Sequence, residues 1–282
     1  RAIKTQKATI IVQMAMARTR LLEPLEPLHL PGEEAVLIIG AGVAGLHTAV
    51  TFTKLGKKVH LVEKEAGVGG RVASLRRLFP RICDPHCGLE FAIQKLSKSP
   101  LAEIHTLARI KSLDGGPGHF EVKIEKQPRY VNEQQCNACG ECMNVCPVSL
   151  PDHSEPFFTH NAQNPTSAQK VLSSRKKAIH PAQPIAFPSA FVIDRQLCPP
   201  GCSECEQVCP VKAVELEQQC SETTLKVGAI LVATGWDPYP LLKVEEYGYG
   251  LYPNVVSNME MESIIEDSPE IKVVGVSQCA GS

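Results

Sequence analysis

Cys136-Asn137-Ala138-Cys139-Gly140-Glu141-Cys142-Met143-Asn144-Val145-Cys146-Pro147 decides how the rest of the chain is read. Its four cysteines follow the order CxxCxxCxxxCP. Three thiolates at intervals of three in a tight loop reach three irons of one cubane, whereas the fourth, carried off by the proline turn, serves another cluster. A second run is therefore required. Cys198, Cys202, Cys205 and Cys209 supply it, again followed by a proline, Pro210. Structural zinc is the other common use of CxxC pairs, but two four-cysteine runs that each end in Cys-Pro point to iron–sulfur chemistry.

The runs also form an internal repeat. Val131-Asn132-Glu133-Gln134-Gln135-Cys136 is echoed by Ile193-Asp194-Arg195-Gln196-Leu197-Cys198, and Cys-Pro-Val closes both. This is a duplicated half-domain, and it resembles that of bacterial-type ferredoxins with two [4Fe-4S] clusters. In that pattern one cubane takes Cys136, Cys139, Cys142 and Cys209, and the other takes Cys198, Cys202, Cys205 and Cys146. The second run has three residues, not two, between its first cysteines, so Cys198 is the ligand whose reach the spacing leaves open.

A chain of 282 residues has room for about two domains. Its 43% hydrophobic content is ordinary for a globular protein that buries a core. With 29 basic and 30 acidic residues the formal net charge is −1, which gives no electrostatic footprint for nucleic acid or an anionic membrane. Twelve cysteines less the eight in the runs leave Cys83, Cys87, Cys220 and Cys279. Clusters of this kind belong to a reducing compartment, and the expected location is the cytoplasm. No stretch reaches the length of a transmembrane helix. Near the start, Thr9-Ile10-Ile11-Val12 and Ala15-Met16-Ala17 imitate a signal peptide, but Gln13 interrupts the apolar run and Arg18 and Arg20 follow it. An amphipathic helix ending before Pro24 is expected instead, followed by a proline-rich linker.

The next domain starts at Ala35. Ala35 to Ile39 is an apolar strand pattern that runs into Gly40-Ala41-Gly42-Val43-Ala44-Gly45, after which a helical pattern continues to Gly56. Glycines at these positions permit a tight turn and close backbone approach, so that a pyrophosphate can sit on the helix N-terminus. Val59 to Val62 forms a second short strand ending at Glu63, an acid placed for a ribose hydroxyl. Gly69-Gly70-Arg71 adds another glycine turn with a cation beside it, a combination closer to FAD domains than to NAD domains. Phe120, Val122 and Ile124 alternate with charged residues as a half-buried strand does. Strand character returns at Val214 to Glu217, at Leu225 and Val227, and finally in Ile230 to Ala233, which closes on Thr234-Gly235.

Both flanks of the cysteine runs thus belong to one domain. The expected class is α/β: a Rossmann-like, thioredoxin-reductase-like FAD-binding domain carrying an inserted two-[4Fe-4S] ferredoxin domain. Its parts are a helix and linker over 1–34, the first part of the FAD domain over 35–128, the insert over 129–213, and the rest of the FAD domain with a truncated following domain over 214–282. Residues 151–190 show little periodicity and are expected to wrap the insert as a long loop. Arg175-Lys176-Lys177 is read as a solvated basic face, with docking of an acidic partner as its rarer use. Ser257 and Glu260 have capping-box spacing.

Assembled, these parts resemble the A subunits of heterodisulfide reductases, including their bacterial relatives. The likeness covers almost the whole chain. It rests on Lys7-Ala8-Thr9 through Leu25, the Gly40 to Gly45 turn, Leu61 to Glu65 with Gly69-Gly70-Arg71, and Pro128-Arg129-Tyr130-Val131. It continues through Arg175 to Ile179, Glu246 to Gly250, Tyr252 to Val255, and Gln278-Cys279-Ala280-Gly281-Ser282. Family members are longer at both ends, so the resemblance implies a fragment. It also implies FAD held by Gly40, Gly42, Gly45, Glu63, Gly69, Gly70, Arg71, Thr234 and Gly235, and a third [4Fe-4S] cluster that joins Cys279 to ligands beyond this chain. The implied function is electron distribution in a complex with heterodisulfide reductase B- and C-like subunits. A hydrogenase or formate dehydrogenase module would be the donor, with ferredoxin as a partner and flavin-based bifurcation as the mode. Two rivals are a self-contained FAD-dependent disulfide reductase using Cys83 and Cys87, and a ferredoxin-like wiring module without flavin.

Overall fold

The computed structural model describes residues 2–23, 31–75, 84–148, 150–151, 175–182, 185, 187–252 and 255–261. The chain divides into two units, Arg1–Pro31 and Gly32–Ser282. The first contains one helix, α1 (Ala2–Arg20). It is helical as expected but not amphipathic. Ile10, Ile11, Val12, Met14 and Met16 are spread around its circumference and all lie exposed. This departs from the expectation because consecutive apolar residues, at 100° per step, cannot share one face. None of the described helices is long and apolar enough to cross a membrane.

In the second unit the apolar run Val36–Ile39 is β1, flanked by two parallel strands, and α2 (Val43–Lys54) leads from it to β2 (Val59–Val62). After α3 (His86–Ser97) the chain forms β3 (Ala102–His105), which pairs parallel to β2. It continues into β4 (Ala108–Gly116) and β5 (His119–Lys126), an antiparallel hairpin turned at Pro117-Gly118. Two strands from near the far end complete the two sheets. β10 (Ser221–Val227) joins β5, and β11 (Ala229–Val232) joins β1. The orders are β11-β1-β2-β3 for the parallel sheet and β10-β5-β4 for the antiparallel one.

Alternation along β1 builds three layers. Val36 and Ile38 face Leu46, Ala49 and Val50 of α2 and Leu89, Ala92 and Leu96 of α3. Leu37, with Val62, faces Val122, Ile124, Leu225 and Val227 of the antiparallel sheet. Each of these aliphatic side chains contributes about 1.5–3 kcal/mol when fully buried. Cover on both faces explains why β1, inside the parallel sheet, is a continuous apolar run, whereas β5, with one face in water, alternates; β11, equally apolar, is an edge strand whose Val232 is exposed. The architecture is α/β with a Rossmann-like parallel sheet.

Residues 127–220 leave this framework at the end of β5 and return at the start of β10, where Ser221 pairs with Lys126. Within this excursion lie α4 (Glu141–Val145), β6 (Leu150–Pro151), β7 (Arg175–Lys176), β8 (Ile179–Pro181), β9 (Phe191–Ile193) and α5 (Glu204–Val208). A separate core gathers Val131, Ile179, Phe191, Ile193, Ala213 and Val214 around Cys142 and Cys146. Most of the long loop expected over 151–190 lies outside the described residues. The strand expected at Val214–Glu217 is reduced to one bridge between Val214 and Val131, after which the chain turns. The capping box forms as expected: Glu260 N–H donates to Ser257 Oγ and Ser257 N–H to the Glu260 carboxylate.

Candidate functional site

The two cysteine runs fold into two cavities that sort the thiols across the repeat. One cavity is lined by Cys136, Cys139, Cys142 and Cys209. The other is lined by Cys198, Cys202, Cys205 and Cys146. Each run therefore lends its fourth cysteine to its neighbour's cavity. The local folding is duplicated too. Asn132 Oδ1 accepts from the N–H groups of Gln134 and Gln135, and Asp194 Oδ1 from that of Gln196, so the same side-chain turn sets up both runs. The extra residue before Cys202 is absorbed in a turn where Gly201 takes φ +72° and Cys202 N–H donates to Pro199 O. Cys198 keeps its place beside Cys202 and Cys205.

Bare thiols in such cavities are uncomfortable neighbours. Burial pushes Cys142 up to about 11, with the charges of Cys136, Cys139 and Cys209 adding to the shift. Cys205 is raised for the same reason, burial first and then Cys198 and Cys202. A cationic iron core would favour the thiolate form that burial opposes at Cys142 and Cys205. The donor set fits a cubane in each cavity. Lys177 Nζ donates to Cys146 O at 2.8 Å, so this residue of the basic triplet pins the Cys-Pro turn rather than forming a solvated face.

The glycines converge at the C-terminal ends of β1, β2 and β11, where open α/β sheets bind ligands. Gly40 has φ +103°, and a Cβ there would lie 2.4 Å from Ala233 O, beside Thr234. At Gly45 a Cβ would lie 1.8 Å from Gly40 O, so the helix can approach the strand only with glycine there. Gly42 is different. It is the N-cap of α2, no side chain caps it, and the nearest atom to an added Cβ is Gly70 Cα at 3.9 Å. The second glycine turn closes on the first, with Gly69 N–H donating to Ala41 O at 2.8 Å. An open helix N-terminus between two glycine turns suits a pyrophosphate.

Glu63 is buried at the end of β2, and its two oxygens accept from Ala41 N–H at 2.7 Å and Glu65 N–H at 3.0 Å. The carboxylate thus holds the glycine turn in shape, and lone pairs on both oxygens remain for a diol. Arg71 reaches the far side, donating to Trp236 O and Asp237 Oδ1 and lying over the Trp236 ring. It brackets the turn that holds Thr234 and Gly235.

Three contacts missed by sequence reasoning tie the cysteine-bearing excursion to this cradle. Ile185 bridges Val68, and its side chain meets the place where a Gly69 Cβ would stand, at 3.0 Å. Phe187 packs on the same core. Arg129, 2% exposed, donates from Nη2 to Ala66 O and Thr106 Oγ1, and from Nε to Glu133 Oε1. Burial lowers the guanidinium pKa, and Glu133 pulls it back up. Arg129→Met should destabilise the cluster-loaded protein by about 2–4 kcal/mol, because buried acceptors lose their donor. A drop in the anaerobic thermal midpoint checks this, with Glu133→Gln expected to cost less. An arginine beside a proline carried no spacing signal that could have announced this role.

Cys83 and Cys279 lie outside the described residues. Cys87 is exposed near the start of α3, and Cys220 is exposed with its Sγ 3.4 Å from Gln127 Oε1. Cys220 is therefore an exposed thiol, not a buried one.

Comparison with known proteins agrees with this layout. Residues 38–100 match the family described as NAD(P)-binding Rossmann-like domain, and residues 129–149 match the 4Fe-4S binding domain family. The chain is 36% identical over 264 residues to the A subunit of H(2):CoB-CoM heterodisulfide,ferredoxin reductase from Methanothermobacter thermautotrophicus, covering 94% of this chain and 38% of that protein. It is also 36% identical over 291 residues to the second iron-sulfur A subunit of CoB–CoM heterodisulfide reductase from Methanopyrus kandleri, covering 99% and 42%. The chain thus spans well under half the length of these curated relatives. Among solved structures, thioredoxin reductase of T. acidophilum is 22% identical with a TM-score of 0.28, over 33% of this chain and 31% of that one.

Proposed function

Because the chain is homologous along nearly all its length to part of the heterodisulfide reductase A subunits, we propose that it is the flavin- and cluster-bearing piece of an electron-transferring oxidoreductase. The observation that carries this reading is the docking of a two-cavity cysteine domain directly onto a dinucleotide cradle through Ile185 and Val68. FAD, held by the Gly40 to Gly45 and Gly69-Gly70 turns with Glu63 on its ribose, exchanges electrons in pairs when bound, and [4Fe-4S] clusters carry them singly. On this reading the residues of this chain would hold both kinds of carrier in one unit and set their surroundings by burial and hydrogen bonding.

Within the longer protein we read this piece as distributing electrons from a hydrogenase- or formate dehydrogenase-type module, by bifurcation at the flavin, toward B- and C-like partner subunits and ferredoxin. A third cluster built on Cys279 with ligands from beyond this chain belongs to the same proposal, as does a cytoplasmic location. The test is the iron to flavin ratio of the complex isolated without oxygen. About eight irons per FAD assigned to this piece fits two cubanes, and about twelve fits a third on Cys279. Iron without flavin absorbance would leave only a wiring module and sink the proposal.

A further inference from the structure

β2 and β3 place two histidines and a carboxylate on one face of the parallel sheet. His60 pairs in register with Glu103, and Val62 with His105. Residues two apart on a strand share a face, so His60, Glu103 and His105 stand together. Their ligand atoms all lie within 4.8 Å of one another. His60 Nδ1 is 3.3 Å from Glu103 Oε2 and 3.4 Å from His105 Nε2, and His105 Nε2 is 3.7 Å from Glu103 Oε1.

These separations are long for hydrogen bonds, which favour about 2.7–3.2 Å. They suit the edges of a metal polyhedron instead. Bonds of about 2.0–2.1 Å to nitrogen and oxygen in a tetrahedron put neighbouring ligand atoms about 3.3 Å apart. The ring centroids are 5.6 Å apart while the facing nitrogens are 3.4 Å apart, so the nitrogens converge. We propose that His60, His105 and Glu103 bind a zinc-class divalent cation, with water in the fourth position, which fastens the edge strand β3 to β2.

Burial supports the chemistry. The side chains of His60 and His105 are 7% and 13% exposed, and desolvation lowers both pKa values, with Glu103 opposing, so neutral imidazoles are ready to ligate near pH 7. Glu103, 52% exposed, leaves an entry path. Lys58 Nζ, 3.8 Å from Glu103 Oε2, is the competing cation, an exposed pair that holds the carboxylate weakly. Lys126 also acts on His105 and lowers its pKa. Both lysines temper the affinity, and Lys58→Met should raise it.

The experiment exposes the cluster-loaded full chain, prepared without oxygen, to micromolar zinc, removes loose metal and records zinc content and the zinc X-ray absorption edge. About one zinc per chain with only nitrogen and oxygen neighbours is expected. His105→Phe should abolish it, and Glu103→Gln, a half-exposed change that leaves the core untouched, should weaken it at least tenfold. Sulfur neighbours at about 2.3 Å would place the zinc on the cysteines and overturn the proposal. So would zinc retention unchanged in His105→Phe, or no retention by the unaltered chain.

Discussion

Cys136→Ala combined with Cys209→Ala is expected to leave about four of about eight irons, whereas Cys136→Ala combined with Cys146→Ala should leave almost none. The two pairs differ because Cys209 lines the cavity of Cys136, and Cys146 lines the other. Two changes in one cavity cost one cubane; one change in each costs both. Iron counting with cluster spectroscopy of the reduced protein reads the result. The reverse pattern would mean that each run of four cysteines closes on its own cluster.

Gly45→Ala should abolish flavin binding, whereas Gly42→Ala should fold normally and bind FAD roughly tenfold to a hundredfold more weakly. At Gly45 the added methyl would sit 1.8 Å from Gly40 O, and neither atom can move without parting α2 from β1. Separating them exposes the contacts of Leu46, Ala49 and Val50, so a loss of several kcal/mol is expected. At Gly42 nothing in the protein lies nearer than 3.9 Å. Its methyl enters only the space over the open end of α2, where the pyrophosphate is expected. Flavin content at equal folded yield, judged by circular dichroism, separates the two. Equal binding by both variants would remove the phosphate role assigned to this end of the helix.

Much of this arrangement could be read from residue order because it rests on local rules. Gly40 and Gly45 announce a turn whose geometry only glycine tolerates, and the cysteine spacing reports the size of the group it encloses. β1, β2, β5 and β11 were legible as apolar runs or alternation. β3 and β4 were not. Ala102-Glu103-Ile104-His105 is short and half polar, and its strand state is imposed by pairing with β2. α3 was missed although a start signal precedes it: Asp84-Pro85 stands before His86, and Asp84 Oδ1 accepts from His86 N–H. Arg129, Ile185 and the His60–Glu103–His105 group act between segments distant in sequence, and no spacing rule records such meetings. The helix at the start shows the opposite failure: its apolar residues suggested one buried face, and their succession denies it.

The cysteine domain is mounted at more than one point. Its two ends leave adjacent strands at Lys126 and Ser221, Ile185 presses on the second glycine turn, and Arg129 is clamped between Ala66, Thr106 and Glu133. A module hung from a single linker samples many orientations, and the gap between its carriers and a neighbour changes with each swing. A module bolted at several places keeps that gap constant. Electron hopping falls off steeply with distance, so here the hop would proceed at one rate, set when the chain folds, rather than waiting on diffusion of a tethered arm.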